Sequence, residues 1–195
     1  MNATQFFLVE YDSINGIVEN IVLNGLSDAQ LRQAPAPGQN SLAWLLWHVA
    51  RSEDFGITVL DGKQPQVLSQ GDWLGRLHVT RRDVGTAMTS EECAAFNEQI
   101  DISGLQAYRT AVATRTRAVI NELNVDQLGE MVNEAHLCAT FADGVIGSER
   151  ARWLEQFFAN HTQAWWLGFL NWHSAEHLLG EASCVRSQNG FPLGV

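Results

Sequence analysis

The spacing of apolar residues along the chain predicts four long amphipathic helices. In residues 4–24, apolar side chains recur in alternating steps of four and three, which places them on one face of a helix. The same period runs through residues 41–61, 103–123 and 162–188. No segment alternates as a strand does, and no internal repeat is present. We therefore expect an all-α four-helix bundle with short accessory helices, formed by one domain over residues 1–195.

Capping residues indicate where several of these helices should begin. A serine, threonine or asparagine at such a position satisfies a free backbone N–H group of the first turn. The candidate caps are Ser27, Asn40 or Ser41, Thr89, Ser103 and Ser148. The pair Asp61-Gly62 should end the second long helix, because glycine is the usual residue after a helix C-terminus.

The connection of residues 61–102 is long and irregular for a helical bundle. It is dotted with glycine and proline, which predicts either an insertion with its own turns or a lid. One face of the preceding helix is predicted to be buried: Leu42, Leu45, Leu46 and Val49. The other face is predicted to look outward: Trp47, Arg51, Asp54 and Thr58.

Charge and composition narrow the classes of partner. The chain has 12 basic and 22 acidic residues, a formal charge of −10, which disfavours binding to a nucleic acid. No run of about 18 apolar residues is present, so we expect no membrane partner. The first residues do not resemble a signal peptide, and the three cysteines are odd in number and widely spaced. These features predict a cytoplasmic protein without a disulfide framework.

Two histidines in the last helix are the main candidate for chemistry. His173 and His177 are one helical turn apart, so both rings should point the same way. A regular helix would also place Glu176 and Cys184 on that face. Two histidines among bulky apolar residues are unfavourable to bury unless their nitrogens have partners. A divalent metal is one such partner, and hydrogen bonds to neighbouring groups are the alternative.

A metal site of this kind needs a third donor from another helix. His161 would be about 18 Å from His173 along a continuous helix axis, which rules it out. His78 and His136 lie in irregular segments, where exposed or hydrogen-bonded histidines are common. His48 lies on a long helix between aromatic residues, a position suited to a facing ligand. A structural histidine is the alternative interpretation of His48.

Two stretches resemble the DinB/YfiT-like superfamily of metal-binding four-helix bundles. NSLAWLLWHVARSEDF is similar to the second helix of that superfamily, and WHSAEHLLGEASCVRSQNGF is similar to its last helix. The resemblance implies that His48, His173 and His177 form a three-histidine site for a divalent ion, nickel or zinc, with iron as a further option. One departure is Gly180, which follows His177 by three residues where many relatives have two.

The resemblance also implies thiol chemistry. Some members of the superfamily are transferases or isomerases that depend on a low-molecular-weight thiol, such as mycothiol or bacillithiol. The leading hypothesis is therefore a metal-dependent transferase or isomerase acting on a small molecule, with Glu176 as base or outer-shell partner. One alternative is a hydrolase of a small ester, amide or lactone with Glu176 as base. Another is a non-catalytic metal-binding stress-response protein.

Further side chains carry weaker predictions. Small residues on the back of the last helix, including Ala164 and Gly168, would let another helix approach closely, which favours a homodimer. Arg51 and Glu53 could orient a ligand, although surface ion pairing is the simpler interpretation. Cys138 could be a nucleophile, although a buried inert thiol is the simpler interpretation.

Overall fold

Helices account for the regular structure of this protein, for which a computed structural model describes residues 1–194. The α-helices are α1 (Ala3–Ile17), α2 (Asp28–Arg32), α3 (Leu42–Asp61), α4 (Trp73–Leu77), α5 (Ser90–Gln99), α6 (Ile102–Glu122), α7 (Glu134–Thr140), α8 (Trp153–Phe158), α9 (Gln163–Ser174) and α10 (Ala182–Gln188). Three π-helical segments occur at Val18–Val22, Phe141–Val145 and Ala175–Glu181, and three 3₁₀ turns at Val67–Ser69, Val125–Gln127 and Glu149–Ala151. Within residues 1–194 there is no β-strand, only an isolated bridge between Met131 and Thr162.

The four predicted long helices form the bundle. They are α1 with the π segment that follows it, α3, α6, and the α9–π–α10 run. Helix α3 packs against both α6 and α9, and α1 also contacts α6 and α9. The prediction of an all-α four-helix bundle with short accessory helices is therefore confirmed.

Most of the predicted caps hold. The side chains of Ser27, Ser41 and Thr89 each accept a backbone N–H in the first turn of α2, α3 and α5. Gly62 ends α3 with a positive φ of 60°, as the Asp61-Gly62 pair predicts. The third long helix, α6, begins at Ile102, before the predicted cap Ser103.

Two predicted caps are wrong. Asp101 caps α6 through the N–H of Gly104, so Ser103 lies inside the first turn of that helix. The hydroxyl of Ser148 makes no capping hydrogen bond, and a 3₁₀ turn follows it. Asp101, two positions before Ser103, is an equally good capping residue, whereas α8 begins after the 3₁₀ turn without any side-chain cap.

Helix α3 is buried on every side over residues 42–59, which contradicts the prediction of an outward face. Trp47, Arg51 and Asp54 are fully buried, and Thr58 is 7% exposed. The connection between α3 and α6, residues 62–101, covers this face. An amphipathic pattern could not reveal that cover, because the backbone of the connection supplies hydrogen-bond partners to Trp47, Arg51 and Asp54.

Hydrogen bonds from α3 hold this connection in place. Asp54 accepts the backbone N–H groups of Val67 and Leu68 at 2.8 and 3.0 Å. Arg51 donates to Gln66 Oε1 and to the carbonyl of Arg82, at 2.7 and 2.9 Å. The length of this connection suggested either an insertion with its own turns or a lid. The structure supports the insertion, which contains short helices of its own and covers α3.

The last long helix is interrupted by a π-helical segment, although a continuous regular helix is predicted. In Ala175–Glu181 the backbone hydrogen bonds span five residues instead of the four of an α-helix. The N–H of Ala182, for example, donates to the carbonyl of His177. The wider turn changes which side chains face inward after His177. Cys184, predicted on the same face as the histidines, is exposed, whereas Val185 and Arg186 are buried.

No helix among residues 1–194 combines the length and apolarity that crossing a membrane requires.

The hydrophobic core lies between the bundle helices, in two clusters of buried side chains that both include residues of α3.

Candidate metal centre

The structure brings three histidines together at the meeting of α3 and the last long helix. One ring nitrogen from each of His48, His173 and His177 lies within 4.8 Å of the others. The Nε2 atoms of His48 and His173 are 3.1 Å apart. His48 and His173 are buried, and His177 is partly exposed. Among residues 1–194, these three histidines form the group of side chains that could hold a metal ion.

The ring of His48 is fixed from two sides. Its Nδ1 lies 2.6 Å from the carbonyl oxygen of Val84, in the connection that covers α3. If Nδ1 carries the proton for this hydrogen bond, Nε2 presents its lone pair to the other two histidines. The indole of Trp44, one turn earlier on α3, stacks on the imidazole ring, with 4.8 Å between the ring centroids and 8° between the ring planes. Backbone and aromatic contacts together set the orientation of the ligand.

The loop that holds His48 depends on Gly85. Its φ is +85°, and a Cβ at this position would lie 3.2 Å from Nε1 of Trp44. Its N–H donates to Oδ1 of Asp83 at 2.7 Å. Because a side chain here would meet both strain and a tight contact, glycine allows the loop to pass close to Trp44 and His48.

The carboxylate of Glu181 contacts the ring of His177. The Nδ1 atom of this ring lies 2.8 Å from Oε2 of Glu181, and Oε1 of Glu181 accepts the side-chain amide of Asn40 at 2.9 Å. The hydrogen bond from His177, with help from Asn40, lowers the pKa of Glu181. A carboxylate–histidine pair of this kind is a common outer shell of protein metal sites.

The electrostatic environment keeps the buried histidines neutral. Burial is the main cause that lowers the pKa of His48 from 6.5 to about 4. Burial, followed by the proximity of His48 and His177, also holds the pKa of His173 well below its usual value. Neutral imidazole is the form that binds a metal ion.

The donor set fits a divalent metal ion. Two nitrogens bound at about 2.0–2.1 Å to a tetrahedral zinc ion are roughly 3.3 Å apart, close to the distance between His48 and His173 Nε2. Three histidines leave at least one coordination position for another ligand, as catalytic sites do. Without an ion, a single hydrogen bond from Nε2–H of His173 to Nε2 of His48 would satisfy this contact, which is the structural-histidine alternative.

A cavity of about 490 Å³ opens beside the three histidines. Its walls come from α3, from the connection at residues 84–88, and from α8 and α9. Aromatic and other apolar side chains dominate them: Trp44, Val84, Met88, Trp153, Leu154, Phe157, Phe158, Phe169 and Trp172. The cavity is large enough for a small organic molecule.

Glu176 lines the same cavity. The residue is exposed and has no side-chain hydrogen bond within residues 1–194. Its carboxylate is therefore free to meet a ligand held beside the histidines. The structure thus places the candidate base Glu176 and the three candidate metal ligands at one cavity.

The other residues singled out in the sequence lie elsewhere. His161 stacks on Trp165 at 3.6 Å, and His136 packs against Gly62. Cys138 is exposed rather than buried, on a separate cavity wall. None of these residues belongs to the three-histidine group.

Arg51 and Glu53 are buried and do not form surface ion pairs. Arg51 pairs with Asp54, whereas Glu53 accepts the hydroxyls of Tyr11 and Thr116, each at 2.6 Å. Neither side chain lines the cavity beside the histidines.

Several parts of the site were not predicted from the sequence. Glu181 is not among the predicted site residues, although its position four residues after His177 on a helix is the signal for a histidine–carboxylate pair. Val84, Trp153 and Phe157 carry no local signal, because they come from the connection and from a short accessory helix.

Comparisons with known proteins support the architecture. The model of a protein family described as the DinB superfamily matches residues 20–179. The crystal structure of a conserved protein from Enterococcus faecalis is similar, with a TM-score of 0.70 and 22% identity. The similarity covers 96% of this chain and 97% of that one, and at this identity it shows a common fold. No curated protein matches the sequence.

Proposed function

Since the chain belongs to the DinB superfamily, we propose that it is a metal-dependent enzyme whose divalent ion is held by His48, His173 and His177. The proposed reaction is the transfer or isomerisation of a small electrophile with a low-molecular-weight thiol, such as mycothiol or bacillithiol, as co-substrate. Nickel or zinc is the expected ion, and iron the next choice. The proposal also takes the chain as one catalytic domain over residues 1–195.

One observation carries the proposal: three histidines, two of them with Nδ1 held by a hydrogen bond, face each other at the edge of a cavity. Val84 and Glu181 each engage the Nδ1 atom of one histidine, so Nε2 is the atom left for an ion. A structural role would require each imidazole only to satisfy its own N–H and lone pair, without bringing three rings to one point.

The chain's own residues account for the remaining steps. A bound divalent ion supplies Lewis acidity, which lowers the pKa of a thiol or a water molecule beside it. Glu176, which lines the cavity, would accept the proton that this ligand loses. The aromatic walls, among them Trp44 and Phe169, exclude water and hold the electrophile against the histidines.

Hydrolysis is the second candidate, and the free carboxylate of Glu176 beside the cavity favours it. In that reaction Glu176 accepts a proton from the attacking water, and the substrate is a small ester, amide or lactone. The two candidates differ in their response to an added thiol. The first requires one, whereas in the second a thiol competes with the substrate. A non-catalytic metal-binding stress-response protein would show neither response.

We propose in addition that the protein works as a cytoplasmic homodimer without a nucleic-acid partner. The cysteines are free, and the charge of −10 repels phosphate backbones. Ala164 and Gly168 are exposed on α9, and a Cβ at Gly168 would have no atom within 4 Å. Light scattering on the purified protein tests the dimer directly.

The metal content tests the central claim. Untagged protein should be purified without chelator and analysed by elemental mass spectrometry beside a variant in which His48, His173 and His177 are all alanine. About one nickel, zinc or iron per chain, absent from the variant, is the expected result. Reconstituted protein should then be assayed with thiols and electrophiles. If the protein binds no metal even after reconstitution, the proposed function is wrong.

A further inference from the structure

The walls of the cavity determine which ligands it accepts. Building on the proposed function, we propose that the site selects uncharged aromatic or aliphatic ligands and excludes anionic ones, carboxylate-bearing thiols included. This property belongs to the cavity rather than to the metal, and it can be tested separately.

The first observation is the chemistry of the walls. Six aromatic side chains line the cavity in addition to the histidines: Trp44, Trp153, Phe157, Phe158, Phe169 and Trp172. Flat apolar rings of this kind bind other flat or apolar groups by stacking and by exclusion of water. The aromatic side chains come from α3, α8 and α9, so they surround a ligand instead of offering it one face.

The second observation is the charge of the walls. Of the cavity-lining residues in the described chain, none is a lysine or arginine, and Glu176 is the one carboxylate. Arg150 comes near, since its Nε donates to the carbonyl of Ala87 in the wall. However, its guanidinium also pairs with Glu92 at 3.3 Å. With the sulfur bound to the proposed ion, a carboxylate at the far end of the ligand would lose its hydration, meet Glu176, and find no cationic side chain among the described lining residues.

The third observation is the exposure of apolar rings at the mouth. Trp153 is 55% exposed and Trp172 is 45% exposed. Exposed indoles beside a cavity gain most from a ligand that covers them with apolar surface. The carboxylates of bacillithiol would find no cationic side chain among the lining residues, so of the two thiols named in the proposed function the uncharged one, mycothiol, is the better match.

A pair of isosteric probes tests the selection by charge. 4-(Mercaptomethyl)benzamide and 4-(mercaptomethyl)benzoate have the same size and shape, and they differ in charge. Titration calorimetry on the nickel-loaded protein gives the affinity of each probe. A thiolate-to-nickel absorption band reports separately whether the sulfur reaches the metal. We expect the amide to bind at least about tenfold more tightly than the carboxylate.

Two variants of Trp172 provide the matched control. Trp172→Arg adds a cation at the mouth, whereas Trp172→Gln adds a neutral polar group of similar length. The arginine variant should reduce or reverse the preference for the amide, and the glutamine variant should keep it. Circular dichroism checks that both variants fold. If either variant does not fold, the ratio of the amide and carboxylate affinities in the unmodified protein decides whether the cavity selects by charge.

The outcomes separate this inference from the proposed function. Equal affinities, tighter binding of the carboxylate, or no measurable binding of either probe at millimolar concentration would overturn the inference. An absorption band with both probes at equal affinity would leave the thiol chemistry supported and the selectivity wrong. Preference for the amide without any band would support the selectivity and contradict coordination of the thiol.

Discussion

Oε2 of Glu181 lies 2.8 Å from Nδ1 of His177, four residues earlier in the same helix. Oε1 of the same carboxylate holds the amide of Asn40, next to the start of α3. One side chain therefore connects the two helices that supply the three histidines. It also assigns Nδ1 of His177 to a hydrogen bond and leaves Nε2 for the cluster.

Loss of Glu181 should weaken metal binding without unfolding the protein. In Glu181→Ala, His177 loses the partner that sets its orientation and tautomer, and we expect nickel or zinc affinity to fall by about 10–100-fold. Competition with a chromogenic chelator measures this affinity. Glu98→Gln, at an exposed position of α5, is the control and should match the unmodified protein. Unchanged affinity in Glu181→Ala would mean that the pair is incidental.

Each of the three histidines should be necessary for the ion. Separate substitutions of His48, His173 and His177 by alanine should each lower metal affinity by at least ~100-fold, more than an outer-shell change does. His78→Asn is a suitable control, because His78 is exposed with a positive φ that asparagine tolerates. Should His48→Ala bind metal stoichiometrically with unchanged affinity, the three-histidine site would be wrong.

Glu176 should affect turnover rather than metal content. Its side chain lines the cavity but is not a member of the metal-ligating group. Glu176→Gln should therefore keep its metal and lose about 10²–10⁴-fold in kcat, the usual contribution of a general base. Metal analysis and steady-state kinetics on the same preparation separate the two effects. A variant with full kcat would exclude the proposed role.

The buried ion pair of α3 should contribute strongly to stability. Arg51 and Asp54 lie 3.0 Å apart with no exposure, and Tyr108 donates to the same carboxylate at 2.7 Å. Arg51→Ala would leave Asp54 buried with the more distant Arg115, 3.8 Å away, as its remaining charge partner, so we expect the free energy of unfolding to fall by about 3–5 kcal/mol. Lys63→Ala removes an ion pair that is largely exposed and should cost less than about 1 kcal/mol. Urea denaturation measures both, and similar losses in the two variants would contradict this account.

Glu53 should make stability decrease as the pH rises. Burial raises its pKa, against the lowering effect of the hydrogen bonds from Thr116 and Tyr11. The folded protein thus holds this proton more tightly than the unfolded chain does. The stabilising contribution is complete below the unfolded pKa of about 4.3 and is lost as the pH rises through the folded pKa.

Glu53→Gln tests this dependence. Glutamine retains an oxygen for both hydrogen bonds and carries no charge. The thermal unfolding temperature of the variant should exceed that of the unmodified protein at pH 8, and the difference should shrink toward pH 4.5. Glu10→Gln, at an exposed position of α1, should show no such trend. A difference that grows on acidification would reverse the sign and reject the explanation.

The long helices and the pairing of His173 with His177 could be predicted because both depend on local spacing. The period of apolar residues determines which segments form helices, and one helical turn between His173 and His177 brings their rings together. His48 joined this pair through the resemblance to the superfamily, because its own sequence neighbours left a structural role open. Its partner Val84 lies 36 positions along the chain, and only the fold brings the two into contact.

What could not be predicted depends on contacts between distant segments. Arg51 and Asp54 have the spacing of an outward helix face, and their burial follows from the backbone of residues 66–68 and 82. The aromatic side of the cavity includes Trp153 from a helix of six residues, too short to show a period. Helix propensity likewise gives no sign of the π-helical turn.

The π-helical segment Ala175–Glu181 also affects how related sequences should be compared. A π turn holds more residues than an α turn, so one residue gained or lost there rotates everything that follows by about 100°. Both His177 and Gly180 fall inside this segment. An ungapped sequence alignment would pair Glu181 with the wrong position in any relative whose helix lacks the extra residue. Alignments to such a relative would need a one-residue gap in this segment, and engineered chimaeras should exchange residues 175–181 as a unit.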